Sequence, residues 1–164
     1  MKTYRAELIW GILFSLAIVL WIVLERLIGL HDEHIEHHAV FSTLFALPAI
    51  AIYVWAFLWR RARPVAVGWW PAFLFGLRIT LVVALLSPLV QWLMHALISP
   101  DFLSNAADYA VVAGELSREQ AERYFRLSSY MIQGAVGALI MGSITSAVVA
   151  VFARRRAGAP QNVN

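Results

Sequence analysis

The chain has 164 residues, of which 61% are hydrophobic and 14% are charged, with a formal net charge of +3 and no cysteine. Soluble domains are about 45–50% apolar and about 25% charged, so the composition indicates a membrane protein. Without cysteine there can be no disulfide, thiolate metal site or cysteine nucleophile. The arginines flank apolar runs and form no continuous basic face, so we expect no nucleic-acid partner.

Four apolar segments are long enough to cross a bilayer, for which a helix needs about 20 residues. We predict spans over approximately residues 6–30, 39–59, 69–98 and 127–153. They indicate an all-α fold, in which residues 1–164 form a single membrane domain built as a four-helix bundle. The first apolar run is too long for a signal peptide and no small-residue cleavage site follows it, so we interpret it as a retained anchor.

The basic residues predict the orientation of the bundle. Eight of the 13 lie in the N-terminal segment, in the loop between the second and third spans, and in the C-terminal tail. Lysine and arginine favour the cytoplasmic side, so both termini should be cytoplasmic, in the inner membrane of a bacterium. The two other connections, which hold eight of the ten acidic residues, would face outside and attract cations.

A polar octet at residues 31–38 follows the first span and holds four of the five histidines. Imidazoles and carboxylates bind divalent Zn, Mn, Fe or Ni, so the octet is a candidate metal site. The candidate ligands are His31, Asp32, Glu33, His34 and His38. The octet could instead sense pH through its histidines or form a hydrated corner between two helices, with Asp32 capping the second. No zincin motif is present.

Polar side chains within the spans predict a polar layer just beneath the outer surface. Its members are Glu25, Arg26, Gln91, His95 and Gln133. A charge at the centre of a span costs at least ~2.5–3.5 kcal/mol, so these groups need partners or a function. The layer is either a functional cavity or a structural hydrogen-bond network. Near the inner surface, we expect Arg78 to pair with Glu7 or to extend toward the lipid headgroups.

The segment over residues 100–126 should be helical and lie outside the membrane, as a cap or as a gating or docking element. Residues 102–113 are typical of an amphipathic helix that ends at Gly114. Ser117, with Gln120 three residues later, matches a capping box. Because no stop signal lies between Arg118 and Ala153, we expect one continuous helix of about 50 Å.

Small residues recur at every fourth position of the fourth span: Gly134, Ala138, Gly142 and Ser146. Such a row lets two helix backbones approach closely. The third span has a similar row, formed by Gly76, Thr80, Ala84 and Pro88. The row in the fourth span therefore serves either packing within one bundle or a homodimer interface.

Several short motifs support a family resemblance. They are ELIWG at 7–11, LER at 24–26 with GLHDEH at 29–34, ALLSPLVQ at 84–91, and YF at 124–125 running to the glutamine at 133. Together they resemble the small bacterial four-span membrane proteins grouped as domain of unknown function 4199. The resemblance covers nearly the whole chain and implies the fold and a bacterial inner-membrane location, without an assigned activity. His37 and His38 lie outside its motifs.

Three functions remain open at this point. The first is a small oligomeric transporter or channel-like protein, in which the polar layer binds a solute or cation and Glu25 titrates. The second is a non-catalytic module that binds a lipid or a protein. The third is an interfacial metalloenzyme, which needs at least three metal ligands and an open coordination position. No GxSxG motif or nucleotide-binding loop is present, so we assign no catalytic residue.

Overall fold

The computed structural model describes residues 4–62 and 68–153, which are mostly helical and contain no strand. The helices are α1 (Arg5–Leu27), α2 (Ile35–Thr43), α3 (Ala46–Arg61), α4 (Trp69–Leu93), α5 (Phe102–Val112), α6 (Arg118–Tyr124) and α7 (Leu127–Ala153). Several basic residues that predict the orientation, namely Lys2, Arg63 and residues 154–156, lie outside the described ranges.

Four helical stretches of the described chain are long and apolar enough to cross a membrane: Arg5–Leu27, Ile35–Arg60, Trp69–Ile98 and Leu127–Phe152. The predicted all-α, four-helix membrane fold is therefore confirmed. The second stretch consists of α2 and α3, joined by a short turn at Leu44 and Phe45. The third runs through Pro88 and continues from α4 into a π-helix, Met94–Ile98.

The small-residue row of α7 faces α4 of the same chain, and these two helices form the most extensive contact in the bundle. A Cβ atom at Gly142 would lie 2.5 Å from Thr80 Oγ1, and one at Gly76 would lie 2.5 Å from Ser146 Oγ. The two backbones are therefore as close as glycine allows. Toward the other end of the row, Gly134 lies against Ser87.

An aromatic core fills the bundle from its middle to the end at which the first helix begins and the last helix ends. Its largest members are Trp10, Phe14, Tyr53, Phe57 and Phe75. The Tyr53 hydroxyl lies 2.6 Å from Thr80 Oγ1, which ties α3 to α4. Beside this core, Arg78 Nη1 donates a hydrogen bond to Glu7 Oε1 at 3.3 Å, so the predicted pairing is confirmed.

The helical segment after the third span is confirmed, but its junction with the fourth span differs from the expectation. α5 ends before Gly114, which adopts a φ of 74°, and the capping box of Ser117 and Gln120 forms. The expected continuous helix from Arg118 to Ala153 is wrong, because α6 stops at Tyr124 and α7 starts at Leu127. At the break, Phe125 leaves helical geometry and packs against a second apolar core.

We expect Ser117→Ala to lower the free energy of unfolding by about 0.5–2 kcal/mol, because it leaves the Gln120 amide of α6 without its side-chain acceptor. Hydrogen exchange should accelerate in α6 and remain unchanged in α7. Ser117→Asp is the matched control, since aspartate also caps helices well. Equal losses for the two variants would show that the hydrogen bond of the cap is not what stabilises α6.

Candidate functional site

The site begins where α1 ends, at Gly29, whose φ of 80° favours glycine. The amide of Leu30 donates to the carbonyl of Glu25, and the amide of Gly29 donates to that of Arg26. These two bonds form a Schellman motif, which satisfies the last carbonyls of a helix and reverses the chain. This reversal turns Leu30 and His31 back against the end of the bundle. Both residues are buried, and His31 is 0% exposed.

Glu25 lies in the last turns of α1 and is only 4% exposed. Its Oε1 atom accepts hydrogen bonds from Trp21 Nε1 at 2.8 Å and from Ser42 Oγ at 2.7 Å. Its other oxygen, Oε2, lies 3.5 Å from His31 Nε2. The carboxylate is therefore held by one oxygen and presents the other to an imidazole.

His38, on α2, completes an acid–imidazole cluster that we define as Glu25, His31 and His38. One potential ligand atom from each residue lies within 4.8 Å of the others. The rings of His31 and His38 are 5.3 Å apart at their centroids. The buried ring of Phe102, from α5, covers both, with centroid distances of 4.9 and 4.7 Å. Three separate parts of the chain thus enclose the cluster.

Several buried polar atoms at this end of the bundle have no hydrogen-bond partner among the described residues. They are both ring nitrogens of His31, both ring nitrogens of His95, and Oε1 of Gln91. More than nine in ten buried polar groups in proteins have a partner, so these atoms are free to bind water, a metal ion or a polar ligand. His95 packs on Phe102, with centroids 5.9 Å apart, so it is next to the cluster but not part of it.

The structure divides the sequence-predicted site residues into inward and outward groups. Glu25, assigned from sequence to the polar layer, meets His31 and His38 of the octet. Glu33, His34 and Gln133 are exposed.

Arg26 and Asp32 form an ion pair with each other at the surface, and Asn105 donates to Asp32 Oδ1 at 3.0 Å. The N-cap of α2 is His34, without a side-chain hydrogen bond, so Asp32 does not cap that helix. Arg26 and Asp32 therefore lie at the edge of the site.

A cavity of about 470 Å³ lies beside the cluster. Residues from α1, from α2 and α3 with the turn that joins them, and from α4 and α7 line it, and most of them are apolar. Its polar residues include Ser42, Ser87 and Gln91. Ser42 therefore belongs to both features, because it lines the cavity and donates to Glu25.

Sequence reasoning missed Trp21, Ser42, Phe102 and Asn105. Trp21 lies four residues before Glu25 on α1, so its contact with the carboxylate follows from helical spacing. Ser42 lies four residues after His38 on α2, so its contact with His38 also follows from helical spacing. Phe102 and Asn105 come from α5, and no local pattern connects them with residues 25–38. Their roles depend on how the helices pack.

These observations define a multi-pass helical membrane protein with a buried acid–imidazole cluster at one end of its bundle. The chain belongs to the family described as protein of unknown function (DUF4199), whose model matches residues 9–155. The resemblance seen in the sequence is therefore confirmed. No curated protein and no solved structure matches the chain.

Proposed function

We propose that the protein is a membrane module that binds a lipid-like amphiphile, with an alkyl chain in the cavity and the polar part near Ser42 and Gln91. The observation that carries this proposal is the cavity of about 470 Å³ within the membrane-spanning helices. Ligand pockets measure roughly 300–1,000 Å³, so a cavity of this size accommodates a ligand rather than a few waters.

The dimensions and lining of the cavity fit one hydrocarbon chain. Along α7 the lining extends from Gly134 to Thr145, which is about 16 Å at 1.5 Å per residue. This is roughly half of the ~30 Å hydrocarbon core, and so about one leaflet deep. Ile50 and Met141 line the cavity and are also exposed, so it opens on the side that faces lipid.

The polar lining favours a ligand whose head carries a hydrogen-bond donor. Oε1 of Gln91 is buried without a partner and can accept such a bond. Ser42 also lines the cavity, and because its hydroxyl donates to Glu25, its oxygen can accept a hydrogen bond from the ligand. A headgroup with an ammonium or hydroxyl group, such as that of phosphatidylethanolamine, matches these acceptors.

The same geometry makes a transport pathway through one chain less favourable. Glu7 and Glu25 are 18 positions apart on α1, or about 27 Å. Among the described residues, the aromatic core fills the bundle centre between them, with separate hydroxyl groups such as those of Ser15 and Thr80. Transport would therefore require a second copy of the chain. We place the module in a bacterial inner membrane with both termini cytoplasmic, which puts the cavity in the outer leaflet.

Gly137→Leu tests the proposal by filling the cavity. A Cβ atom at position 137 meets no other atom within 4 Å, so the leucine enters open space without a clash. Wild-type protein in nanodiscs that contain chain-spin-labelled phosphatidylethanolamine should immobilise about one label per chain. The variant should lose at least 80% of this immobilised signal in electron paramagnetic resonance.

Ile140→Leu is the matched control, because Ile140 is exposed on α7 and does not line the cavity. It should retain the wild-type signal. Equal signals in wild type, Gly137→Leu and Ile140→Leu would show that the immobilised lipids bind the outer surface, and would overturn the proposal.

A further inference from the structure

We infer that the acid–imidazole cluster binds one divalent metal ion of the zinc class, with Glu25, His31 and His38 as ligands. The inference does not depend on an amphiphile in the cavity. It combines two of the octet histidines with a carboxylate from α1 that lies outside the octet.

The separation of the potential ligand atoms fits a shared ion. Glu25 Oε2 and His31 Nε2 are 3.5 Å apart, which is longer than an ordinary N–H···O hydrogen bond. Two atoms that each lie about 2.0–2.1 Å from a tetrahedral zinc ion are separated by about 3.3–3.4 Å. A metal between Oε2 and Nε2 therefore needs almost no change in this distance. The third ligand atom, on His38, lies within 4.8 Å of both, so it would have to come closer by at most about 1.4 Å to share the ion.

The buried ring of His31 has the Glu25 carboxylate at 3.5 Å but no hydrogen bond of ordinary geometry among the described residues. His31 is 0% exposed and neither of its ring nitrogens makes a hydrogen bond. A buried polar group without a partner costs about 1–3 kcal/mol. A metal ion at Nε2 would offset this cost.

Hydrogen bonds from neighbouring residues orient the candidate ligands, as hydrogen bonds around the ligands of a metal site usually do. Trp21 and Ser42 donate to Oε1 of Glu25, which orients the carboxylate and leaves Oε2 free. Asn105 donates to the backbone carbonyl of His31 at 3.0 Å and so fixes the turn that carries the ring. Hydrogen bonds that orient ligands in this way typically contribute 10–100-fold to metal affinity.

The donor set indicates the class of metal. Two imidazoles and one carboxylate suit zinc and its neighbours, whereas calcium and magnesium prefer oxygen ligands alone. Three protein ligands also leave a fourth tetrahedral position open for water or another small ligand.

The experiment uses full-length protein, purified with a cleavable tag that contains no histidine and held in detergent micelles. Zinc content is measured by mass spectrometry, and Co²⁺ binding is measured by its d–d absorption. Wild-type protein should hold about one metal per chain, with a tetrahedral Co²⁺ spectrum. Glu25→Gln and His38→Ala should each weaken Co²⁺ binding at least tenfold. Glutamine keeps an acceptor for Trp21 and Ser42, and His38 is only half-buried, so both variants should fold.

His34→Ala and His37→Ala are the matched controls, because these histidines belong to the same segment but are exposed. Both should bind metal as the wild type does. Absence of metal binding in the wild type, or a loss of binding in the controls equal to that in Glu25→Gln, would overturn the inference. Gly137→Leu should leave Co²⁺ binding unchanged, so failure of the amphiphile proposal and failure of the metal site are distinguishable.

Discussion

Replacing Gly142 with leucine should destabilise the protein by about 3 kcal/mol or more, the upper part of the range for overpacked cores. A Cβ atom at this position would lie 2.5 Å from Thr80 Oγ1 and 2.8 Å from the Tyr53 hydroxyl. Those two oxygens are themselves 2.6 Å apart, so neither can move without loss of their hydrogen bond. The added side chain would therefore push α7 away from α4.

The measurement is reversible unfolding in mixed micelles of a mild detergent and sodium dodecyl sulfate, followed by circular dichroism. Gly137→Leu is the matched control on the same helix, since its Cβ atom enters open space. It should change the free energy of unfolding by less than about 0.5 kcal/mol, as is usual away from packed features. A Gly142→Leu protein that keeps wild-type stability and changes only from dimer to monomer would contradict intramolecular packing of the row.

Replacing Arg78 with alanine should destabilise the protein by about 3 kcal/mol, the lower end of the range for a buried charge that loses its partner. Glu7 is 5% exposed and accepts a hydrogen bond from Arg78. The arginine side chain is 39% exposed, so the main penalty falls on the carboxylate that remains. The variant also loses the contact of the guanidinium with the Tyr4 ring, 4.9 Å from its centroid.

The double variant Glu7→Gln with Arg78→Ala separates the charge from the packing. Removing the buried charge of Glu7 should recover more than half of the lost stability in the same unfolding assay. If the double variant is as unstable as Arg78→Ala alone, the arginine acts through the packing of its alkyl chain and Tyr4, and not through Glu7.

Features that depend on local sequence could be predicted. The four spans follow from continuous apolar length, and the end of α5 and the start of α6 follow from Gly114 and Ser117. The pairing of Glu7 with Arg78 was also predictable, because two opposite charges at similar depth in hydrocarbon have few alternative partners.

The candidate site was only partly predictable from the sequence. The octet and Glu25 are visible as polar residues, but their grouping depends on how the chain turns at Gly29 and on how each helix is rotated about its axis. The turn at Gly29 buries His31 and leaves His34 exposed, while the rotation of α7 leaves Gln133 exposed. The packing of α5 against the turn brings Phe102 to the cluster from a distant position in the chain.

Three features follow from the amino-acid sequence alone: the number of spans, the helix ends marked by capping residues, and the presence of polar groups near one bundle end. They depend only on composition and on neighbours within a few residues. The tertiary structure alone decided the break at Phe125, the cavity and the convergence of Glu25, His31 and His38. These features arise from contacts between segments far apart in the chain. Their free energies depend on interatomic distances that no local pattern specifies.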